Sequence, residues 1–373
     1  MTTFPMPREA APVMKDWFDE TRFRTIAGQL AALDSRFHRK RFLARSLDGL
    51  DQLSLLQRLR RMSESTREAL PLDYRDSLEV LRSLAPQIDH KFVTLFLPDF
   101  VGLYGQGDFA VSMEALKFFT PFGSSEFAIR EFLKRDLHAT LAVMHEWSHD
   151  PDEHVRRLAS EGCRPRLPWS FHLPELIADP GPALPLLEKL RADPSLYVRK
   201  SVANHLNDIS RDNPDITLQT LTRWGRDNPR TAWIAKRALR TLIKEGRIEA
   251  LTLLGAGEPA KVRIESFTVS PEAIALGEEI RLSLHLISTA KTPQRILIDY
   301  IVHYVKQSGG TSEKVFKWKE IELGPREAVV LQKRQTIRDF STRKHCPGRH
   351  RVELQVNGKR LAETAFGLTT CRT

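Results

Sequence analysis

The chain has 373 residues, 41% of them hydrophobic, and carries 57 Lys and Arg against 47 Asp and Glu. This length predicts two or three globular domains, and no apolar run approaches the length of a membrane span. The first residues lack a signal-peptide pattern and the three cysteines show no CxxC spacing, so we expect a cytoplasmic protein without structural disulfides. His345, Cys346 and His350 match no strong metal-binding pattern, and we predict no metal site and no cofactor.

The net charge of +10 is unevenly spread. Residues 259–373 hold 20 Lys and Arg against 12 acids, whereas residues 1–258 hold 37 against 35. The first part is therefore nearly neutral, and any binding of a polyanion there depends on where its charges lie.

Apolar residues at helical spacing predict helices over 13–33, 54–62, 73–84 and 109–119. Pro121-Phe122-Gly123 ends the last of these, and Ser124 or Ser125 is expected to cap a further helix that runs to about Arg135. Glu126 would then lie in the first turn of that helix, where an acid also favours the helix dipole.

A repeated unit follows, with clear copies at 147–159 and 190–203 and a looser copy at 224–239. Each copy begins with an apolar residue and later has Val or Ile, two basic positions and small apolar residues. In the two clear copies Asp-Pro lies between the apolar residue and the valine. The aspartates are 43 and 34 residues apart, a period typical of HEAT-like helical pairs. We expect the aspartate to cap the next helix, the proline to occupy its first turn, and the pairs to stack into a solenoid.

The basic positions recur in register on the second helix of each pair: Arg156 and Arg157, Arg199 and Lys200, Lys236 and Arg237. They predict either a track of cations along one wall, suited to the phosphates of DNA, or ordinary solvated charge.

From Lys261 onward the apolar residues alternate, as in 280–286 and 296–304, and Gly and Pro lie between the runs. About seven strands in about 110 residues predict an immunoglobulin-like β-sandwich, and Asn357-Gly358 predicts a tight hairpin. The predicted fold is an all-α HEAT-like solenoid over 1–257 followed by an all-β sandwich over 258–373.

The sequence contains no Gly-rich phosphate loop, GxSxG or HExxH motif. Three acids and one indole in the repeat region are the candidates for chemistry: Glu126, Glu161, Asp208 and Trp169. Glu161 follows Arg157 by four residues and could form a surface salt bridge. Trp169 lies in a proline-bearing loop and is either a plug over the core or a stacking surface. Asp208, near a helix end where an acid opposes the dipole, is harder to explain structurally.

The repeats, the Glu-Phe-Ala-Ile-Arg segment at 126–130 and this set of residues resemble the AlkC branch of the AlkC/AlkD alkylbase DNA glycosylases. The carboxyl-terminal sandwich is similar to that of a known subgroup, so the resemblance covers nearly the whole chain. It implies hydrolysis of the N-glycosidic bond of cationic methylated bases, mainly N3-methyladenine and N3-methylcytosine, without a metal and without a base-flipping pocket. The resemblance also assigns the active-site role to Glu126, Glu161, Trp169 and Asp208.

Such chemistry suits carboxylates, which stabilise an oxocarbenium-like sugar and position water, and a tryptophan face that can hold a cation. Carboxylates would repel DNA phosphates, so flanking arginines, including Arg164 and Arg166, are expected to hold the backbone. The basic loop of the sandwich, with Arg343 and Lys344, is predicted to add DNA contacts. We expect a monomer whose partner is duplex DNA with alkylated bases. A non-enzymatic HEAT scaffold and a damage-binding protein without activity are the alternatives.

Overall fold

The computed structural model describes residues 13–340 and 344–369 and contains a helical part followed by a β part. The α-helices of the described residues are α1 Glu20–Leu33, α2 Arg39–Leu47, α3 Leu55–Ala69, α4 Tyr74–Leu84, α5 Phe96–Tyr104, α6 Phe109–Phe119, α7 Ile129–Arg135, α8 Leu137–Trp147, α9 Glu153–Glu161, α10 Pro174–Ala178, α11 Leu184–Leu190, α12 Leu196–Asp212, α13 Pro214–Trp224, α14 Pro229–Ala238, α15 Arg240–Lys244 and α16 Ile248–Leu253. None of them is both long and apolar enough to cross a membrane.

The helices predicted over 73–84 and 109–119 are confirmed. The one predicted over 13–33 is divided at Asp19 into a 3-10 helix, Met14–Phe18, and α1, and the one predicted over 54–62 extends to Ala69. Asp73 caps α4 by accepting from the Asp76 N–H at 2.8 Å, and α6 has the predicted limits. The prediction for Glu126 is wrong in one respect: α7 begins at Ile129, so Glu126 lies in the turn before the helix and not in its first turn.

The helical pairs of the two clear copies are present as α8 with α9 and α11 with α12, and α13 and α14 are the helices at the positions of the third predicted pair. The capping role expected for the Asp-Pro aspartates is wrong. Asp152 caps α9, whereas Asp150 accepts from the Asp152 N–H at 2.9 Å and closes the turn before the helix. Asp193 closes the corresponding turn by accepting from the Ser195 N–H at 2.8 Å. The proline of each clear copy therefore lies two residues before its helix.

The basic residues of the repeats explain why the Asp-Pro turn recurs. Arg156 donates to the carboxylate of Asp193 at 2.7 and 3.1 Å, and to the carbonyls of Asp150 and its following proline. Arg199 makes the same backbone contacts in the next repeat, where it donates to the carbonyls of Asp193 and of the proline that follows it. In the preceding repeat Lys117 pairs with Asp150 at 2.7 Å. The repeated signature is therefore a packing device that ties each turn to its own helix and to the repeat before it.

The β part is a two-sheet sandwich, as the alternating pattern predicts. Its strands are β1 Val262–Ser270, β2 Ala273–Ala275, β3 Glu279–Ser288, β4 Gln294–Val305, β5 Thr311–Leu323, β6 Ala328–Thr336, β7 Gly348–Val356 and β8 Lys359–Thr369. One sheet has the order β1-β3-β6 and the other β2-β8-β7-β4-β5. Asn357 and Gly358 join β7 to β8 with φ values of 45° and 77°, the left-handed backbone that a tight hairpin requires.

The apolar residues that alternate in the sequence form the core of the sandwich. Ile280, Leu282, Leu284 and Leu286 of β3 are at most 1% exposed. The predicted fold class, an α solenoid followed by an all-β sandwich, is confirmed.

The described chain divides into two compact units. One unit extends to Asp212 and includes Asn228–Ile234; the other comprises Asn213–Asp227 and the chain from Ala235 onward. Within the second unit, Leu251 and Ala256 pack with Leu297 of β4 in one buried cluster. The last helices therefore share a core with the sandwich, although the predicted domains follow the change from helix to strand at residue 257.

Candidate active site

Three of the predicted acids are linked through two arginines in the first compact unit. Glu161 is the last residue of α9 and Asp208 lies on α12, and they are only 6% and 3% exposed. The guanidinium of Arg164 donates to Glu161 at 2.6 Å and to Asp208 at 2.8 Å. Buried carboxylates are expensive unless a cation pairs with them, and here one arginine pairs with both.

The second arginine extends the network to Glu126. Arg157 lies 3.5 Å from Glu161 on the same helix and donates to the carboxylate of Glu126. Ser124 supports this end, because its hydroxyl donates to Glu126 at 2.8 Å and accepts from Arg157 at 2.9 Å. The exposed ring of Tyr197 lies under the Arg157 guanidinium, 5.1 Å from it. Sequence spacing allowed a surface salt bridge between Arg157 and Glu161, but the pair is largely buried.

This acid–arginine network contains Glu126, Arg157, Glu161, Arg164 and Asp208. It holds three carboxylates and two guanidinium groups, so it has one negative charge in excess when all are ionised. A net negative, preorganised site repels an anionic ligand and favours developing positive charge.

Burial and the arginines act in opposite directions on the two innermost carboxylates. Burial pushes the pKa of Glu161 upward, but Arg157 and Arg164 outweigh it and hold the pKa below its ordinary value. For Asp208 burial prevails, and its pKa is raised despite the hydrogen bond from Arg164. The two acids therefore differ in proton affinity although they share one cation, a separation that is common where acid and base chemistry is performed.

Arg130 shapes the loop that carries Arg164, and sequence reasoning did not identify it. Its side chain is fully buried and donates to the carbonyls of Gly162 at 2.9 Å, Arg164 at 2.7 Å and Phe171 at 3.2 Å. Burial lowers the pKa of Arg130 to about 10, so it remains charged at neutral pH. One guanidinium thus satisfies the irregular backbone between α9 and α10 and fixes the position of Arg164.

Trp169 lies in the same loop and is a surface feature, not a plug over the core. Its side chain is 58% exposed, and its backbone has φ 67°. Phe92 meets its ring edge-on at a centroid distance of 6.2 Å. A non-glycine residue in this conformation is strained, and such strain is concentrated at functional sites.

His205 is a second buried residue beside the network. Its Nδ1 lies 2.9 Å from the carbonyl of Ser160, the residue before Glu161, and burial lowers its pKa to about 3. The ring is therefore neutral at physiological pH, and Nδ1–H donates to the carbonyl at the end of α9. His205 and Asp208 are three residues apart on α12, so this bond fixes Asp208 relative to Glu161.

The predicted phosphate contacts of the first unit are placed in different environments. Arg156 and Arg199 are engaged in the turns of the repeats, which favours a packing role for them. Arg166 forms a two-bond ion pair with Asp212 at 2.8 Å, with its side chain 28% exposed. Lys200 is exposed on α12.

The remaining predicted cations belong to the second unit. Lys236 pairs with Glu320 at 2.7 Å, and Arg237 is exposed. Lys344 is 80% exposed and lies 3.2 Å from a neighbouring aspartate. Arg343 lies outside the described residues.

One cluster in the sandwich has the composition of a metal site. His303, Glu313 and Glu353 place ligand atoms within 4.8 Å of one another. Arg360 donates to Glu313 and to Glu353, each at 2.8 Å, and His303 Nε2 lies 2.7 Å from Glu353. Arg351 lies 3.5 Å from Glu353, so two arginines balance the charge of the two carboxylates, and we assign the cluster to packing of the sheet.

Comparisons with known proteins agree with this order of helical repeats and sandwich. Residues 120–242 match the family described as "DNA alkylation repair enzyme", and residues 263–370 match the family described as "Uncharacterised protein YhaZ, C-terminal Ig-like domain". The uncharacterized protein YhaZ of Bacillus subtilis (strain 168) is 39% identical over 347 residues, covering 93% of this chain and 96% of the relative. The solved structure of Pseudomonas fluorescens alkylpurine DNA glycosylase AlkC, bound to DNA containing an abasic site analog, is 52% identical with a TM-score of 0.94. That match covers 96% of this chain and 100% of the other.

The chain therefore belongs to the DNA alkylation repair family, in the group that contains AlkC and YhaZ. The resemblance inferred from the sequence is confirmed at this level.

Proposed function

We propose that this protein is a DNA glycosylase that removes cationic alkylated bases, N3-methyladenine and N3-methylcytosine, from duplex DNA. The observation that carries the proposal is the acid–arginine network, because it keeps carboxylates buried, ordered and net negative in a protein of this family. The similarity to AlkC, which was solved with DNA containing an abasic site analog, supports DNA as the substrate.

The reaction needs little assistance at the leaving group. Alkylation makes the base cationic, so the electrons of the breaking N-glycosidic bond neutralise the base and no proton has to be supplied. The sugar becomes an oxocarbenium-like cation, and the burden of catalysis is to stabilise it and to deliver water.

The network provides both functions in this proposal. The carboxylates of Glu126, Glu161 and Asp208 stabilise the positive charge on the sugar. The water oxygen bonds to the anomeric carbon, and its proton passes to a carboxylate or to solvent. The exposed face of Trp169 contacts the cationic lesion nucleotide through its ring.

DNA binding is assigned to exposed cations. Lys200, Arg237 and Lys344 are proposed to contact phosphates. Arg166 can exchange its ion pair with Asp212 for a contact with a phosphate. Because Arg157 and Arg164 neutralise the buried acids, they reduce the repulsion between the site and the DNA backbone.

The test is chromatographic analysis of duplex DNA treated with a methylating agent and then incubated with the protein. We expect free N3-methyladenine and N3-methylcytosine in solution, abasic sites in the DNA, and the same yield with a chelator present. A protein that binds an abasic-site analogue but releases no base would be a damage-binding protein, and loss of activity with the chelator would refute the metal-free mechanism.

A further inference from the structure

A cavity of about 330 Å³ lies in the first unit between α3, α5, the turn before α7 and the loop after α9. Leu56, Trp169 and Phe171 line it and are 39%, 58% and 38% exposed. Three exposed large apolar side chains at one concavity are unusual, since such groups are normally scattered or covered. A concave, mostly apolar surface of this size is typical of a small-ligand site.

The aromatic wall of this cavity is held in place by bonds deeper in the protein. Arg130 binds the carbonyl of Phe171 and lies 5.4 Å from the centre of its ring. Phe92 supports the edge of the Trp169 ring, whose residue keeps a strained backbone. The rings are therefore preorganised for a flat partner and do not have to be ordered by it.

The polar lining of the cavity includes two carboxylates and Arg60. Asp99 is satisfied by Arg60 at 3.0 and 3.1 Å and by the hydroxyl of Ser63 at 2.7 Å. Glu131 also lines the cavity, and no ion pair reaches it from the residues that the structure describes. A half-buried carboxylate without a cation can accept hydrogen bonds from an N–H donor of a ligand.

We propose that this cavity binds the free methylated base after excision, as a product site next to the acid–arginine network. The inference rests on the proposed function. Phe127 lines the cavity and directly follows Glu126, so the site adjoins the reacting centre along the chain. Excision leaves the bonding electrons on the base, which becomes an uncharged heterocycle suited to stacking on aromatic rings. Its exocyclic amino group is a donor for Glu131.

The experiment is equilibrium dialysis of the full chain against free 3-methyladenine, without DNA. We expect saturable binding at one site per chain. Leu56→Ala removes part of the apolar wall and Glu131→Gln removes the charged acceptor, and each is expected to weaken binding roughly fivefold or more. Ile248→Ala, at a residue 63% exposed, and Glu114→Gln on the exposed side of α6 are matched controls that should bind like the wild type.

Circular dichroism checks that the variants fold, and the same preparations are assayed for base release from methylated duplex DNA. Base release without saturable binding of the free base would overturn the product site and leave the glycosylase proposal standing. Equal weakening by the controls would also overturn it. Absence of base release would refute the glycosylase function, whatever the dialysis shows.

Discussion

Replacing Arg164 with Met, which keeps much of the side-chain length, removes the cation that two buried carboxylates share. Asp208, 3% exposed, would then lose its cation, and Glu161, 6% exposed, would keep only Arg157 at 3.5 Å. Removing one partner of a buried ion pair costs about 3–5 kcal/mol. Because each kcal/mol shifts Tm by about 2–4 °C in a domain of 150–250 residues, we expect the Tm of the first unit to fall by roughly 10 °C.

Activity should respond in a direction set by the same electrostatics. Arg164 lowers the proton affinity of both carboxylates, so its loss raises both pKa values. If the ionised acids stabilise the sugar cation, the acidic limb of the excision–pH profile moves to higher pH, by about one unit or more. Arg164→Lys keeps the charge but cannot bridge two carboxylates with a rigid fork, so we expect partial recovery.

The assays are thermal unfolding and single-turnover base release from pH 5 to 9. Arg166→Met is the stability control, because this arginine is two residues away and its ion pair with Asp212 is more exposed, at 28% and 26%. An exposed pair contributes about 0.2–1 kcal/mol, so the control should lose only a few degrees. If Arg164→Met unfolds like the control and keeps the wild-type pH profile, the network does not hold the carboxylates as argued.

Three further outcomes are expected. Lys200→Ala and Lys344→Ala should each lower the salt slope of DNA binding by about 1, whereas Arg156→Ala should mainly lower stability. Unchanged slopes in both lysine variants would show that these lysines are solvated surface charges without phosphate contacts. His205→Leu should slow base release up to roughly tenfold with little change in apparent KM, and His205→Asn, which keeps a donor, should recover part of the rate. Because the His205 ring has a pKa of about 3, the pH profile of base release above pH 5 should not change in either variant. Burial raises the pKa of Asp299 from 3.8 to about 6, so its stabilising contribution is present below pH 3.8 and lost as pH rises through 6. Asp299→Asn should therefore stabilise the sandwich at pH 7 by up to ~3 kcal/mol and have little effect at pH 3, as measured by urea unfolding.

The elements with strong periodicity could be predicted from the sequence. The alternation in β3 and β4 predicted buried strands, and Asn357-Gly358 predicted the hairpin, because these signals depend on neighbouring residues alone. The repeat was recognised from Asp150 and Asp193, but their role was misassigned. An aspartate that closes the turn before a helix and one that caps the helix can lie only two residues apart, as Asp150 and Asp152 do, and the sequence does not distinguish them.

The site residues could be predicted from the resemblance to the AlkC/AlkD family more than from any local sequence pattern. Glu126, Glu161 and Asp208 are far apart in sequence, and no local signal indicates that Arg164 would bridge two of them. Arg130 was missed for a related reason: its partners are carbonyl groups, which every residue has. Only the fold shows which carbonyls lack a donor.

The rate of base release from methylated duplex DNA under single-turnover conditions, compared between the wild type and Glu161→Gln, tests the central claim most directly. Gln has nearly the same shape as Glu but no charge, so the comparison isolates the stabilisation of the sugar cation. We predict a decrease of roughly 10²-fold or more. Full activity in Glu161→Gln, together with full activity in Glu126→Gln and Asp208→Asn, would contradict the assignment of these carboxylates to catalysis.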